Sequence, residues 1–173
     1  GKEQPFLPPE RCPACGSPVE RPPDEVMMYC PNSSCPDRIY WGIVHFVSQG
    51  GMDIRGLGER TVKQLLERGL VTDYADLYHL NADDLLQLEG FADISANNLL
   101  AAIADSRNRP LSRLLFALGI RHVGATASQI LARHYGTLDA LVQAGADDYA
   151  TVHGIGGTTA AALAAFVQDE RNQ

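Results

Sequence analysis

The 173-residue sequence predicts a mainly α-helical fold, with four helical hairpins in two pairs behind a small, ribbon-like four-cysteine finger. Three observations lead there. Alanine, leucine and glycine dominate and aromatics are only 7%, a balance that favours short, closely packed helices over a β-sandwich. All four cysteines fall within the first 35 residues. From residue 50 onward the chain repeats a Gly-apolar-Gly tripeptide and its surroundings. A hydrophobic content of 45% is enough to bury a core, and no apolar run approaches the roughly 18 residues of a membrane span. Without a charged-then-apolar leader, the chain reads as cytoplasmic, with no membrane partner.

The finger comes first in the chain. Its cysteines form two close pairs, Cys12-Pro13-Ala14-Cys15 and Cys30-Pro31-Asn32-Ser33-Ser34-Cys35, separated by 14 residues. Paired thiolates on two turns joined by a hairpin-length spacer match a tetrahedral zinc-ribbon-like site. Gly16 and the prolines 13, 31 and 36 suit such turns. Two disulfides or a redox Cys-x-x-Cys are the competing readings. A cytosolic setting disfavours the first, and the second needs a βαβ context that the sequence lacks. With all four positions filled by protein, no site remains for a catalytic water, so the zinc is expected to be structural. His45, a fifth candidate ligand, sits in an apolar stretch and reads as a packed or surface residue. The expected division is a linker at 1–10, the finger at 11–38 and the helical domain at 39–173.

The helical domain is read from its repeat. Gly56-Leu57-Gly58, Gly90-Phe91-Ala92, His122-Val123-Gly124 and Gly154-Ile155-Gly156 start 34, 32 and 32 residues apart. Two residues before each stands an aliphatic one (Ile54, Leu88, Ile120, Val152), and three after each a small one (Thr61, Ser95, Ala127, Thr159). Seven residues after each comes leucine, at 65, 99, 131 and 163. Ala82-Asp83-Asp84 and Ala146-Asp147-Asp148 lead into the second and fourth tripeptides at equal distance, so the larger unit is a pair of hairpins used twice.

Each copy reads as helix, tight turn, helix. The glycines, Gly58 included, are expected to permit positive φ, the central apolar residue to plug inward, and the small residue to let the second helix approach closely. Backbone N–H groups at such a turn, at the positive end of the following helix, make an anion site that needs no side-chain charge. That matters because the formal charge is −7. Residues 1–49 carry 4 basic and 6 acidic groups, and residues 50–173 carry 10 and 15. A general polycation that coats nucleic acid is thereby excluded, and a DNA contact must be local.

The hairpins differ in local charge. Arg55, Arg60 and Lys63 lie near the first, and Arg121, His122 and Arg133 near the third. The second and fourth follow Asp83-Asp84 and Asp147-Asp148, with Glu89 closer still to the second. The odd hairpins are therefore expected to favour phosphate. Ala92 in place of glycine, followed by Asp93, is expected to strain the second turn and leave it a structural role.

Cys12-Pro-Ala-Cys-Gly, Cys30-Pro-Asn-Ser-Ser-Cys-Pro, Gly51-Met-Asp-Ile-Arg-Gly-Leu-Gly-Glu59 and Leu118-Gly-Ile-Arg-His-Val-Gly124, in this order, resemble the C-terminal part of bacterial NAD-dependent DNA ligases. The resemblance covers residues 11 to about 170. It implies a four-cysteine zinc finger with ligands Cys12, Cys15, Cys30 and Cys35, followed by helix-hairpin-helix motifs whose glycines are Gly56, Gly58, Gly90, Gly124, Gly154 and Gly156. It also implies binding of nicked double-stranded DNA in replication and repair, without sequence preference; with the local charges added, the expected DNA-binding residues are 55–58, 60, 63, 90, 121, 122, 124, 154 and 156. A nucleotidyltransferase core and an OB-fold would precede this segment and a BRCT domain would follow, in a bacterial enzyme of the nucleoid that uses NAD and Mg. The opening Gly1-Lys2-Glu3, without methionine, fits that expectation. Asp37-Arg38 departs from the family's usual Ala-Gln, and Ala92 departs in the second hairpin.

No catalytic residue is expected here. Ligases attack the adenylate with a lysine in a Lys-x-Asp-Gly motif, and the lysines of this sequence, Lys2 and Lys63, have no such context. Two other classes compete: a tandem helix-hairpin-helix module of another repair or recombination protein, which would generally lack the adjoining cysteines, and a helical protein-interaction domain, which would not bind DNA at low salt.

Overall fold

The computed structural model describes residues 9–22 and 26–172, so only the last two residues of the expected 1–10 linker fall within it. The chain forms two compact units, 1–41 and 42–173, and helix α1 (Pro36–Val47) runs across the division. In the first unit, pairing among the described residues is limited to two isolated antiparallel bridges, Arg11 with Pro18 and Glu20 with Tyr29.

The second unit is helical. After α1 come α2 (Glu59–Glu67), α3 (Ala82–Leu86), α4 (Asp93–Ser106), α5 (Leu111–Ala117), α6 (Ala125–Tyr135), α7 (Leu138–Gln143), α8 (Ala146–Thr151) and α9 (Gly157–Gln168). The two Ala-Asp-Asp echoes open α3 and α8. Asp84 accepts the N–H of Asn81 at 3.0 Å while Asn81 accepts that of Asp84 at 3.1 Å, and Asp148 accepts the N–H of Gly145 at 3.2 Å. These carboxylates therefore satisfy helix-start donors and complement the positive helix end, which explains acidic residues at two helix entries.

The four tripeptides fold alike. In each, the central N–H donates to the carbonyl three residues back: Leu57 to Ile54 (3.3 Å), Phe91 to Leu88 (3.3 Å), Val123 to Ile120 (2.9 Å) and Ile155 to Val152 (2.9 Å). The carbonyl of the third residue then opens the next helix by accepting from Val62, Ala96, Ser128 or Ala160. Ile54, Leu88, Ile120 and Val152 are all buried, as are the four leucines at 65, 99, 131 and 163. The central residues Leu57, Val123 and Ile155 are buried too, and Phe91 is half-buried.

Two expectations need correction. Positive φ belongs to the first residue of each tripeptide, at +89° for Gly56, +88° for Gly90, +63° for His122 and +89° for Gly154. The third residues are extended, with φ of −91° at Gly58 and −138° at Ala92, because they are helix N-caps. Alanine adopts that conformation without strain, so the second turn is regular, and the strained non-glycine position is His122. The helix–helix approach is also set one residue later than expected. Thr61, Ser95, Ala127 and Thr159 are half-buried, whereas Val62, Ala96, Ser128 and Ala160 are at most 2% exposed.

The hairpins associate as two pairs. In the first pair the turn at Gly56 faces Leu99 of α4, and Gln64 of α2 bonds the Glu89 main chain of the second turn. In the second pair the turn at Gly154 faces Ile130 of α6, and Thr159 of α9 donates to the His122 carbonyl of the third turn at 3.3 Å. Leu115, Leu131, Leu141, Tyr149 and Leu163 lie in one buried cluster of the second pair, where the Tyr149 hydroxyl donates to the Leu141 carbonyl at 2.7 Å. Two arginines fasten the loop that enters the first hairpin. Arg109 donates to the Met52 carbonyl at 3.2 Å and to the Asp53 carboxylate at 3.1 Å, and Arg113 donates to the carbonyls of Gly51 and Gln49.

Candidate metal centre and nucleic-acid interface

The first unit brings its four cysteines together. All four sulfurs lie within 4.8 Å of one another, with Cys12 to Cys35 at 3.8 Å and Cys15 to Cys30 at 3.5 Å. Tetrahedral zinc with bonds of about 2.3 Å needs sulfurs about 3.8 Å apart, so the cluster fits the ion. Each pair sits on a tight turn. Gly16 donates to the Cys12 carbonyl at 2.8 Å and Cys12 to the Ser17 carbonyl at 2.8 Å, while Cys35 donates to the Asn32 carbonyl at 3.1 Å.

Basic side chains brace these turns from outside. Arg11 donates to the Gly16 carbonyl at 3.0 Å, and Arg38 to the carbonyls of Cys30 and Pro31, both at 3.2 Å. Arg38 thus supports the second cysteine turn. The thiols differ in acidity: hydrogen bonds from the Ser17 hydroxyl and main chain bring Cys15 down to about 6, whereas desolvation pushes Cys30 up to about 12. Binding a metal would deprotonate the thiols and neutralise the resulting thiolates. His45 lies in the other unit, with its Nε2 2.9 Å from the Phe116 carbonyl and its ring against that of Phe116. It is half-buried against Phe116.

The outward face of the hairpins is the second candidate site. At Gly58, Gly124, Gly156 and Gly157 an added Cβ would meet nothing within 4 Å, and the backbone at the three N-caps among them, Gly58, Gly124 and Gly156, is extended. Neither packing nor conformation demands glycine at those N-caps. What glycine does provide is close approach of an outside group to the main chain at a helix N-terminus. The second hairpin differs: its Ala92 N–H is taken by the Ser95 hydroxyl at 2.8 Å, and Asp93 and a 78% exposed Ile94 follow.

Basic residues are distributed unevenly around this face. Arg55 and Arg121 occupy the exposed position just before the positive-φ residue in the first and third turns. Arg60 is in the first turn of α2 and Lys63 in the second, and both already face carboxylates: Arg60 with Glu89 at 2.9 Å and Lys63 with Glu67 at 3.8 Å. Arg133 is in the last turn of α6, about 13 Å along the helix from the third tripeptide, so it does not belong to that turn as expected. Sequence reasoning missed Gln64, whose Glu89 partner lies on another hairpin, and Arg109, whose bonds to Met52 and Asp53 cross 56 to 57 residues.

Four turns with the same hydrogen bond and positive-φ residue, each feeding a helix, together with a four-sulfur cluster define a tandem helix-hairpin-helix protein with a four-cysteine zinc finger. Family comparison agrees. Residues 11–36 match the NAD-dependent DNA ligase C4 zinc finger domain, residues 52–105 a SAM-like helix-hairpin-helix tandem and residues 113–173 a helix-hairpin-helix motif. The chain is 51% identical over 169 residues to a DNA ligase of Gemmatimonas aurantiaca, covering 98% of this chain and 24% of that protein. It is 51% identical over 167 residues to one of Roseiflexus sp., covering 96% and 23%. A DNA ligase of Syntrophotalea carbinolica is 49% identical over 173 residues, covering 100% and 26%. The chain belongs to the NAD-dependent DNA ligase family, as its zinc-finger and helix-hairpin-helix segment, and spans about a quarter of the length of these relatives.

Proposed function

We propose that residues 39–173 hold nicked duplex DNA for a ligase, without reading its sequence, while zinc held by Cys12, Cys15, Cys30 and Cys35 keeps residues 11–38 folded. The observation that carries this reading is the set of N-cap glycines at helix starts whose conformation and packing are open to any residue. A phosphate oxygen accepting main-chain N–H bonds there is bound despite the formal charge of −7. Arg55, Arg60, Lys63, Arg121 and His122 would flank the phosphates at the odd hairpins, with Gly154-Ile155-Gly156 adding a further turn and Gly90 mainly shaping the second. Nick sealing, with NAD as adenylate donor and Mg as metal, would be supplied by a nucleotidyltransferase core and OB-fold of the longer enzyme, with a BRCT domain beyond, in the bacterial cytoplasm at the nucleoid.

A mobility-shift titration of the zinc-loaded chain on nicked duplexes of randomised sequence tests the reading. The expected result is retardation with no preference among sequences and a shallow dependence on salt, since few side-chain cations are engaged. Strong selection of one sequence, or no retardation at low salt, would count against it.

Side-chain contributions are separable from those of the main chain. Changing Arg60 and Lys63 together to glutamine leaves the turns intact, so DNA affinity is expected to fall and the salt slope to flatten by up to about two phosphate contacts. Asp147→Asn, at the start of α8, is expected to leave binding unchanged or improve it. The assignment of the first hairpin as a principal clamp fails if the first variant binds like the parent while the second loses binding.

A further inference from the structure

Just before the positive-φ residue, the first and third turns carry Arg55 and Arg121, the fourth His153 and the second Glu89. Glu89 is held there from the neighbouring hairpin. Its N–H donates to Gln64 Oε1 at 2.7 Å and its carbonyl accepts from Gln64 Nε2 at 3.3 Å. Gln64 follows Arg60 by one turn of α2, so this two-point grip sets the Glu89 carboxylate against the Arg60 guanidinium at 2.9 Å. The two side chains are 72% and 78% exposed, open to solvent and to any polyanion that docks on the first hairpin.

A carboxylate presents a guanidinium with the same anionic oxygen acceptors as a phosphate does. We infer that Glu89 is a built-in phosphate surrogate: it occupies Arg60 in the free protein and is displaced when Arg60 takes a DNA phosphate, so it tunes the affinity and salt response of the first hairpin. The inference rests on the DNA-binding reading above. It gives the unusual second hairpin a role, since a turn whose N-cap amide is already taken by Ser95 instead supplies the competing anion. The surrogate penalises binding through a single phosphate, and DNA that engages several hairpins at once overcomes it.

The test is a double-mutant cycle on the zinc-loaded chain with a nicked duplex across a salt series, using the parent, Glu89→Gln, Arg60→Gln and the double variant. Glu89→Gln keeps the fold, because Gln64 grips only the main chain, and its far-ultraviolet spectrum should match the parent. The expected result is about two- to fivefold tighter binding at low salt, the range set by exposed ion pairs. The salt slope should steepen by up to about one phosphate contact. In the Arg60→Gln background the gain should vanish. A gain that persists undiminished there would mean general charge repulsion and overturn the inference, as would unchanged affinity of Glu89→Gln. Absence of binding by the parent and every variant would instead overturn the DNA-binding reading, and the surrogate with it.

Discussion

Cys30→Ser is expected to abolish zinc binding and unfold residues 11–38 while the helices of 42–173 keep their far-ultraviolet signal. Up to residue 41, the buried apolar side chains among the described residues are Cys12 and Cys35, which are themselves ligands of the proposed metal. Two isolated bridges and a few turn hydrogen bonds cannot offset the entropy of ordering such a segment. Structural zinc in small fingers supplies on the order of 10–16 kcal/mol, and that is the energy the variant forfeits. Metal analysis should fall from about one zinc per chain to near zero, and limited proteolysis should cut within 11–38 only in the variant. Zinc retained at one per chain with protease resistance would refute the four-sulfur assignment.

The second large effect separates glycines that look alike in sequence. Gly154→Val forces a β-branched residue to φ +89° and places its Cβ 2.9 Å from Cδ1 of Ile130. The end of the Ile130 side chain can swing aside, so the backbone strain dominates and is expected to cost about 1–3 kcal/mol, read as a lowered denaturation midpoint. Gly58→Val has φ −91° and open space around its Cβ, so its stability cost should stay under about 1 kcal/mol, the ordinary penalty of a poor N-cap. Yet its isopropyl group would stand where a phosphate approaches the α2 amides, so DNA affinity should fall sharply. Equal stability losses at the two positions would show that the N-cap glycines serve the fold rather than the ligand.

Much of the architecture was legible because it is periodic. The aliphatic, central and +7 positions recur at fixed offsets, and the structure buries them in all four copies apart from the half-exposed Phe91. The paired cysteines were equally plain, since two tight turns with a short spacer leave little freedom for where the sulfurs meet. The conformational role of each glycine was not legible. Gly56 and Gly58 share one letter in one tripeptide, but the first position needs positive φ and the third, a helix N-cap, does not. His122 and Ala92 were the informative exceptions: histidine at a first position and alanine at a third show which of the two tolerates a side chain only once the φ values are known. The Arg60–Glu89 pair and the grip of Gln64 were hidden for another reason. They join residues 25 to 29 apart on separate hairpins, a distance at which one sequence carries no pairing signal.

The clasp of Arg109 and Arg113 on residues 49–53 bears on the order in which the chain assembles. Its bonds span 56 to 64 residues, whereas each hairpin closes through contacts of a few residues. Closing a long loop is entropically costly until the intervening chain is compact, and local contacts form first. The entire second hairpin lies inside the loop that this clasp closes. Docking of the arginines is thus expected to follow hairpin formation, leaving the entry to the first hairpin as the last part of the pair to lose its conformational freedom.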